Sequence, residues 1–251
     1  MKKQIPLFVL WIATVGHAQT QPSEATPAKK TLKVLAAHQI DPSWLLPPPP
    51  KDGSENQRKE LAEVKHLVET RSPERFAQAR WDNEHEDPTA FAATIGPGFD
   101  LNKLPATAKL LDLVMNDQSI AASTAKEYFR RKFPVAAETN VADYRQWSCD
   151  DDVKKPADRP LRSYPSGHST MGFSVGIVLA SLMPEKAQAI LARAADYAYS
   201  REICGDHYHV DIEASHALGT AVGIMLLDSA ALEPHIEAAK QELRAANLTG
   251  N

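Results

Sequence analysis

Three short segments of the chain carry side chains that can bind anions and move protons. One is a lysine in a helix-prone stretch, one is the tetrapeptide Pro-Ser-Gly-His at 165–168, and one runs from Ser200 to Asp211. Lysine and arginine supply positive charge, and histidine exchanges a proton near neutral pH. The candidate site residues are Lys126, Ser166, Gly167, His168, Arg201, His207 and Asp211.

The spacing of His207 and Asp211 predicts an oriented imidazole. Residues four apart share a face if the segment is a helix. A carboxylate that accepts a hydrogen bond from one ring nitrogen fixes the tautomer and leaves the other nitrogen with its lone pair. Such a histidine is either an activated nucleophile or a metal ligand. A salt-bridged structural histidine is the alternative for this pair taken alone.

The dipeptide Ser166-Gly167 precedes an apolar, helix-length stretch and predicts a helix start that can hold an anion. Backbone N–H groups are unpaired there and the helix dipole is positive. His168 would then lie beside the anion, and Arg201 offers a planar fork suited to phosphate oxygens. A capped helix with a surface histidine is the structural alternative.

A zinc site is the competing interpretation of the third segment. If 207–211 were a strand, His207, His209 and Asp211 would face one way and could bind Zn²⁺. On a helix His209 points away from the other two. Alanine-rich flanks favour a helix, so we expect no metal and no other cofactor.

Helical patterns dominate the elements that must position these residues. Few breakers interrupt them, and proline or glycine marks most of the boundaries. No strand alternation or internal repeat is visible, so the fold class is all-α, with residues 135–164 as a loop. The predicted helices span 55–79, 105–132, 169–183, 185–200, 211–227 and 234–246.

The N-terminus is typical of a secretory signal peptide. Lys2 and Lys3 precede a short apolar run, and Gly16-His17-Ala18 offers a cleavage site, so we expect a signal peptide at 1–18. A flexible leader at 19–40 and a helical domain at 41–251 would follow, in the periplasm or outside the cell. The apolar run is too short for a membrane anchor, and we expect no later stretch that is long and apolar enough to cross a membrane.

The net charge limits the classes of binding partner, and the cysteine content predicts a covalent link within the chain. Loss of the first 18 residues removes two lysines and no acids, which changes the net charge from −4 to −6. A mildly acidic chain without a basic run is a poor nucleic-acid binder. Cys149 and Cys204 form an even pair, which an oxidising compartment would join as a disulfide, with two free thiols as the alternative. The sequence leaves homo-oligomerisation open.

The second and third segments together resemble the signature of the type 2 phosphatidic acid phosphatase (PAP2) superfamily. Within it, the chain is similar to the class A bacterial non-specific acid phosphatases. The resemblance extends to 45–50 (Leu-Leu followed by four prolines), 125–127 (Ala-Lys-Glu) and 203–205 (Ile-Cys-Gly). It implies a single-domain helical bundle of the PAP2/vanadium haloperoxidase type.

The resemblance also implies a role for each residue. His207 would take the phosphoryl group, Asp211 would orient it, and His168 would protonate the leaving oxygen and then activate water. The phosphate oxygens would be held by Lys126, Ser166, the Gly167 amide and Arg201. An acid optimum is implied, since His168 must be protonated while His207 is free to attack.

One position departs from the family pattern, in which an Arg-Pro pair follows the lysine after six residues. Counting from Lys126, the arginine position is Phe133, followed correctly by Pro134. Arg159 also precedes a proline, but its spacing to 165–168 does not fit the motif. Arg130, one helical turn after Lys126, or Arg131 could replace the missing arginine.

The sequence therefore predicts an acid phosphatase that hydrolyses small phosphate monoesters without a metal ion. Two alternatives remain from the sequence alone. One is a vanadium-dependent haloperoxidase-like enzyme, in which vanadate stands where phosphate sits. The other is a phosphate-binding periplasmic protein whose activity has decayed, which the phenylalanine at position 133 keeps open.

Overall fold

The computed structural model describes residues 30–138, 144–150 and 155–250, and this part of the chain contains helices and no strand. The all-α prediction is therefore confirmed. The predicted signal peptide at 1–18 lies outside the described residues. The α-helices are α1 Pro42–Leu45, α2 Glu55–Thr70, α3 Pro73–Glu84, α4 Ala92–Ile95, α5 Pro105–Phe129, α6 Pro134–Ala137, α7 Gly167–Leu182, α8 Ala187–Cys204, α9 His209–Leu227 and α10 Glu233–Ala245.

Several helix boundaries differ from the predicted ones, and two of the differences have a local cause. The helix expected at 55–79 is two helices, because Pro73 cannot continue α2 and instead begins α3, where the Ser72 hydroxyl accepts from the Arg75 amide at 3.2 Å. Helix α5 ends at Phe129, since Arg130 adopts a left-handed conformation (φ 52°) that closes the helix before Pro134. The predicted loop at 135–164 contains α6 and short 3₁₀ turns.

Helix α7 is the centre of the bundle. It is buried along most of its length and packs against α5, α8 and α9. Short connections join α7 to α8 and α8 to α9, so these consecutive helices run antiparallel. The start of α7, the end of α8 and the start of α9 therefore lie at the same end of the bundle, beside the end of α5.

Gly219 sets the distance between α7 and α9. A Cβ atom added to it would lie 2.6 Å from the Thr170 carbonyl oxygen and 2.8 Å from the Phe173 Cβ. Both atoms belong to rigid parts of α7 and cannot move aside. The glycines at 219 and 223 thus serve core packing, because they let the backbones of α7 and α9 approach closely.

Helix α9 is long and apolar enough to cross a membrane by length and composition, so the expectation that no later segment meets that criterion is wrong. Half of its most apolar window is buried inside the structure, where it packs against α7. Core packing accounts for that half.

Part of the segment expected to be a flexible leader is packed. The backbone N–H groups of Lys33, Val34 and Leu35 donate to the Asp117 carboxylate at 2.7–2.9 Å, and Leu35 and Ile40 are buried. The leader prediction for 19–40 is therefore wrong for this stretch. A carboxylate on α5 binds it, and composition gives no sign of that contact.

The predicted disulfide is present between Cys149 and Cys204. It connects the loop that precedes α7 to the last residue of α8. Gly205 follows at once in a left-handed conformation (φ 82°), where a Cβ would lie 2.7 Å from the Val68 side chain. Only glycine allows this tight turn, which brings Asp206 against the loop before α7, where it contacts Ser148 and Arg159.

We predict that Gly219→Ala destabilises the protein by about 1–3 kcal/mol, because the added methyl group forces α7 and α9 apart. The gain in helix propensity, about 1 kcal/mol at most, is too small to offset this. Urea unfolding followed by circular dichroism measures the change. Ile224→Ala, at an exposed position of α9, is the control, and equal midpoints for the two variants would contradict the packing argument.

Candidate active site

A cavity of about 340 Å³ opens at the end of the bundle where these helix ends meet. Five of the seven predicted site residues form its wall, together with residues that were not predicted for the site. The lining residues are Glu86, Lys126, Phe133, Asp150, Arg159, Pro160, Gly167, His168, Arg201, Asp206 and His207.

His207 lies on the cavity wall with its ring held from behind by Asp211. The Nδ1 atom is 3.3 Å from Asp211 Oδ2, and neither side chain is more than 5% exposed. His207 precedes α9 and is not part of it, which differs from the shared helical face that the spacing suggested. The two residues still meet because Asp211, in the first turn of α9, reaches back and also accepts from the Tyr208 amide at 3.2 Å.

The Asp211 carboxylate is held by further buried groups. Arg131 Nη1 donates to its Oδ1 at 2.6 Å, and the Ser163 hydroxyl donates to its Oδ2 at 2.5 Å. The other guanidinium nitrogen, Nη2, binds Glu60 at 2.6 Å. Arg131 is 1% exposed, so these contacts form away from water and fix the orientation of the carboxylate.

The protonation states suit a nucleophile. Burial by itself raises the pKa of Asp211, but the hydrogen bond from His207 and the charge of Arg131 hold it below its usual range. An ionised Asp211 can only accept, so Nδ1 of His207 carries the hydrogen and Nε2 keeps its lone pair. Burial lowers the pKa of His207 to about 4, and Asp211 opposes this only in part.

Lys126 reaches the cavity from the last turns of α5. Its ammonium group donates to the Arg162 carbonyl oxygen. Burial lowers the pKa of Lys126 to about 7, against the opposing charge of Asp211. The lysine is therefore charged at acid pH and loses its proton near neutrality.

The start of α7 forms a second wall. Gly167 lies there with the first free N–H groups of the helix, and His168 follows it. Ser166 is not on the wall: it is fully buried, its hydroxyl accepts from the Ser169 amide at 3.4 Å, and its own amide donates to Ser215 at 2.8 Å. The expectation that Ser166 binds phosphate directly is not met in this arrangement, because its polar groups cap α7 and join it to α9.

His168 faces an acidic residue that the sequence did not indicate. Its Nε2 lies 3.1 Å from the Asn83 carbonyl oxygen and 3.6 Å from Glu86 Oε2. Burial is the main cause that holds the pKa of His168 well below its ordinary value, and the charge of Arg201 adds to it. The ring is therefore neutral before an anion binds. The Glu86 side chain is 47% exposed, and its partial burial raises its pKa against the opposing charges of Arg201 and Lys126.

Arg201 shares a buried carboxylate with another arginine. Its Nη2 donates to Asp206 Oδ2 at 3.0 Å, and Arg159 Nη1 donates to Asp206 Oδ1 at 2.9 Å. Burial by itself raises the pKa of Asp206, but Arg201 and Arg159 hold it below its usual range. Arg201 also donates to the Asn83 side chain.

The two arginines expected to replace the missing motif arginine do not line the cavity. Arg130 is exposed and faces a separate groove beside 48–50, because the left-handed end of α5 turns it outward. Arg131 is bound behind Asp211 and acts on the site through that carboxylate. Arg159, which motif spacing excluded, lies on the wall instead. Sequence spacing cannot reveal the position of Arg159, because the path of a loop brings this residue to the cavity wall.

The zinc interpretation needed three side chains that face one way, and they do not. His209 is 58% exposed and lies 3.0 Å from Glu202 and 3.8 Å from Glu213, whereas His207 and Asp211 are buried and paired with each other. The first turn of α9 separates them.

Comparisons with known proteins agree with this geometry. The family model described as PAP2 superfamily matches residues 110–231, a range that holds every predicted site residue. The chain belongs to the PAP2 superfamily. The resemblance predicted from the motifs is thereby confirmed.

Curated relatives of this PAP2 protein match it along most of its length. One named acid phosphatase, from Zymomonas mobilis subsp. mobilis, is 28% identical over 99% of this chain and 94% of its own. One named non-specific acid phosphatase, from Providencia stuartii, is 29% identical over 96% of this chain and 98% of its own. Another with that name, from Salmonella typhimurium, is 26% identical over 83% and 82%.

We predict that Arg131→Met lowers the free energy of unfolding of this PAP2 protein by about 3–5 kcal/mol, since it leaves Asp211 and Glu60 buried without their counter-charge. Urea unfolding measures the loss. Arg130→Met, at the exposed neighbouring position, should change stability by no more than about 0.5 kcal/mol. Similar losses in both variants would show that the buried ion pairs do not stabilise the fold.

Proposed function

We propose that this chain is a periplasmic or secreted acid phosphatase that hydrolyses phosphate monoesters through a phosphohistidine at His207, without a metal ion. The observation that carries the proposal is the buried pair of His207 and Asp211, which faces Lys126, Arg201 and His168 across one cavity. The names of the curated relatives support the activity.

In the first step the lone pair on Nε2 of His207 attacks phosphorus. The N–P bond forms as the ester P–O bond breaks, and the leaving oxygen takes a proton from protonated His168 and departs as an alcohol. Asp211 stays ionised and stabilises the positive charge that develops on the ring through Nδ1–H. Lys126, Arg201 and the amides at the start of α7 stabilise the charge on the equatorial phosphate oxygens.

In the second step water attacks the phosphorus atom of the phosphohistidine from the side opposite the N–P bond. The N–P bond breaks, inorganic phosphate leaves, and the proton of the water passes to His168. The imidazole of His207 returns to its starting state with hydrogen on Nδ1. No metal is needed for either step, since fixed cations and N–H dipoles supply the positive charge.

His168 must be protonated when it serves as the acid, although its ring is neutral in the free site. A bound phosphoryl group places negative charge beside it, and a neighbouring negative charge raises the pKa of a histidine. Substrate binding and protonation of His168 are therefore coupled. Glu86, with its raised pKa, lies within 3.6 Å of Nε2 and is placed to relay this proton.

The electrostatic balance of the cavity favours acid pH. Protonation of Glu86 removes a negative charge from the wall, while Lys126 stays charged. Asp206 is already neutralised by its two arginines. An incoming phosphate anion therefore meets a more positive cavity as the pH falls.

The decisive experiment compares His207→Ala with His209→Ala in a p-nitrophenyl phosphate assay. We expect the first variant to lose activity by a factor of about 10⁴ or more, because the nucleophile is gone, and the second to keep the activity of the unmodified protein. Radiolabelled substrate should give an acid-labile, alkali-stable phosphorylated protein that His207→Ala does not form.

Three results would refute this function. Full activity in His207→Ala would exclude the phosphohistidine. Loss of activity with EDTA and in His209→Ala together would establish the metal interpretation. Tight binding of phosphate without turnover in the unmodified protein would identify a binding protein instead.

We predict a bell-shaped dependence of kcat/KM on pH with limbs near pH 4 and pH 7. The acid limb arises because His207 must be neutral to attack, and the alkaline limb because Lys126 must be charged. Lys126→Arg, whose guanidinium keeps its charge, should move the alkaline limb to higher pH and leave the acid limb in place. The substrate's own ionisation near pH 6 affects both proteins alike, so an unmoved limb would contradict the assignment.

A further inference from the structure

Arg159 occupies a position that neither the motif nor the family comparison assigns. It belongs to the loop before α7, yet its side chain is only 8% exposed and lies on the wall of the cavity. Its guanidinium carbon is 5.1 Å from the centre of the Phe133 ring, and that ring is 5.5 Å from the ring of His207. A loop arginine thus lies against the residue that stands in the place of the expected motif arginine, next to the nucleophile.

Asp206 holds this arginine in place. One carboxylate oxygen accepts from Arg159 and the other from Arg201, so the two guanidinium groups are fixed side by side. Asp206 directly precedes His207, and the Ser148 hydroxyl also donates to it at 3.3 Å. Because Asp206 and His207 are consecutive, the backbone fixes the position of the two arginines relative to the nucleophile.

Both arginines keep donors for a ligand. In the guanidinium group of Arg159, Nη1 is the one nitrogen with a hydrogen-bond partner in the described part of the chain. Nε of Arg201 is buried and has no partner there. A buried N–H group without a partner destabilises the protein, and a bound anion that accepts from it would remove that cost. Two guanidinium groups on one carboxylate keep a net positive charge that suits a phosphate.

The substitution at position 133 explains why the loop arginine is needed. Phenylalanine offers no hydrogen bond to phosphate, but its ring face attracts a cation. Arg159 lies near that face, with its charge in the cavity. The positive charge lost at position 133 is therefore restored from a different segment.

We propose that Arg159, held by Asp206, binds a phosphate oxygen of the substrate in place of the missing motif arginine. This inference rests on the proposed phosphatase function. In it, Arg159 is a phosphate-binding residue and Asp206 is a positioning residue that acts through Arg159 and Arg201.

The test measures kcat/KM for p-nitrophenyl phosphate and the competitive inhibition constant of inorganic phosphate. Arg159→Ala should lower kcat/KM about 10²-fold, in the range seen when one donor to a transition-state anion is removed, and should weaken inhibition by phosphate. Lys155→Ala removes an exposed cation from the same loop and should leave both values within twofold.

The double variant Arg159→Ala, Phe133→Arg returns an arginine to the motif position. We expect it to recover kcat/KM at least tenfold over Arg159→Ala alone. Phe133→Arg would not rescue a purely structural role of Arg159. Position 133 belongs to a different segment, so an added guanidinium there cannot restore the contacts that Arg159 makes within its own loop. Arg159→Gln, which keeps the size of the side chain, serves if the alanine variant does not fold.

The outcomes separate this inference from the function on which it rests. If the unmodified protein turns over substrate, His207→Ala is inactive and Arg159→Gln equals Lys155→Ala, then the inference is wrong and the function stands. If nothing turns over, calorimetric titration with inorganic phosphate still tests the residue. Equal phosphate affinity in Arg159→Gln and the unmodified protein would then overturn it.

Discussion

The site depends on one buried chain of polar contacts that runs from Arg131 through Asp211 to His207. A carboxylate without water around it is costly unless it is paired and hydrogen-bonded, and here it accepts from a guanidinium, a hydroxyl, an amide and an imidazole. Those contacts keep Asp211 ionised, which in turn fixes the tautomer of His207. A neutral imidazole with the lone pair of Nε2 free is the consequence.

The bundle supplies the rest of the site by bringing helix ends together. Because α7, α8 and α9 run antiparallel with short connections, the start of one helix lies beside the end of the next. The close contact at Gly219 holds α7 against α9, and therefore holds Gly167 and His168 against His207. Residues scattered over more than eighty positions of sequence meet in a cavity of about 340 Å³.

Burial has opposite consequences for the different charged groups in this cavity. It lowers the pKa of His207 and of Lys126, and it raises the pKa of Glu86. The first change keeps the imidazole of His207 neutral, and the others make the wall more positive as the pH falls.

The sequence by itself determined the helical class through local periodicity and predicted the core residues of the site through motif spacing. His207 with Asp211, His168 after Gly167, and Lys126 could all be predicted in this way. The even cysteine pair with a signal peptide predicted the disulfide. Only the tertiary structure decided which groups support them. Glu86 and Arg159 come from segments with no spacing rule relative to the motifs, and Arg131 and Asp206 are unspecified positions within them. Burial and pairing, which decide the roles of all four, are properties of the folded chain. Arg130 and Arg131 are neighbours in sequence, yet a single left-handed residue directs one to solvent and leaves the other in the core.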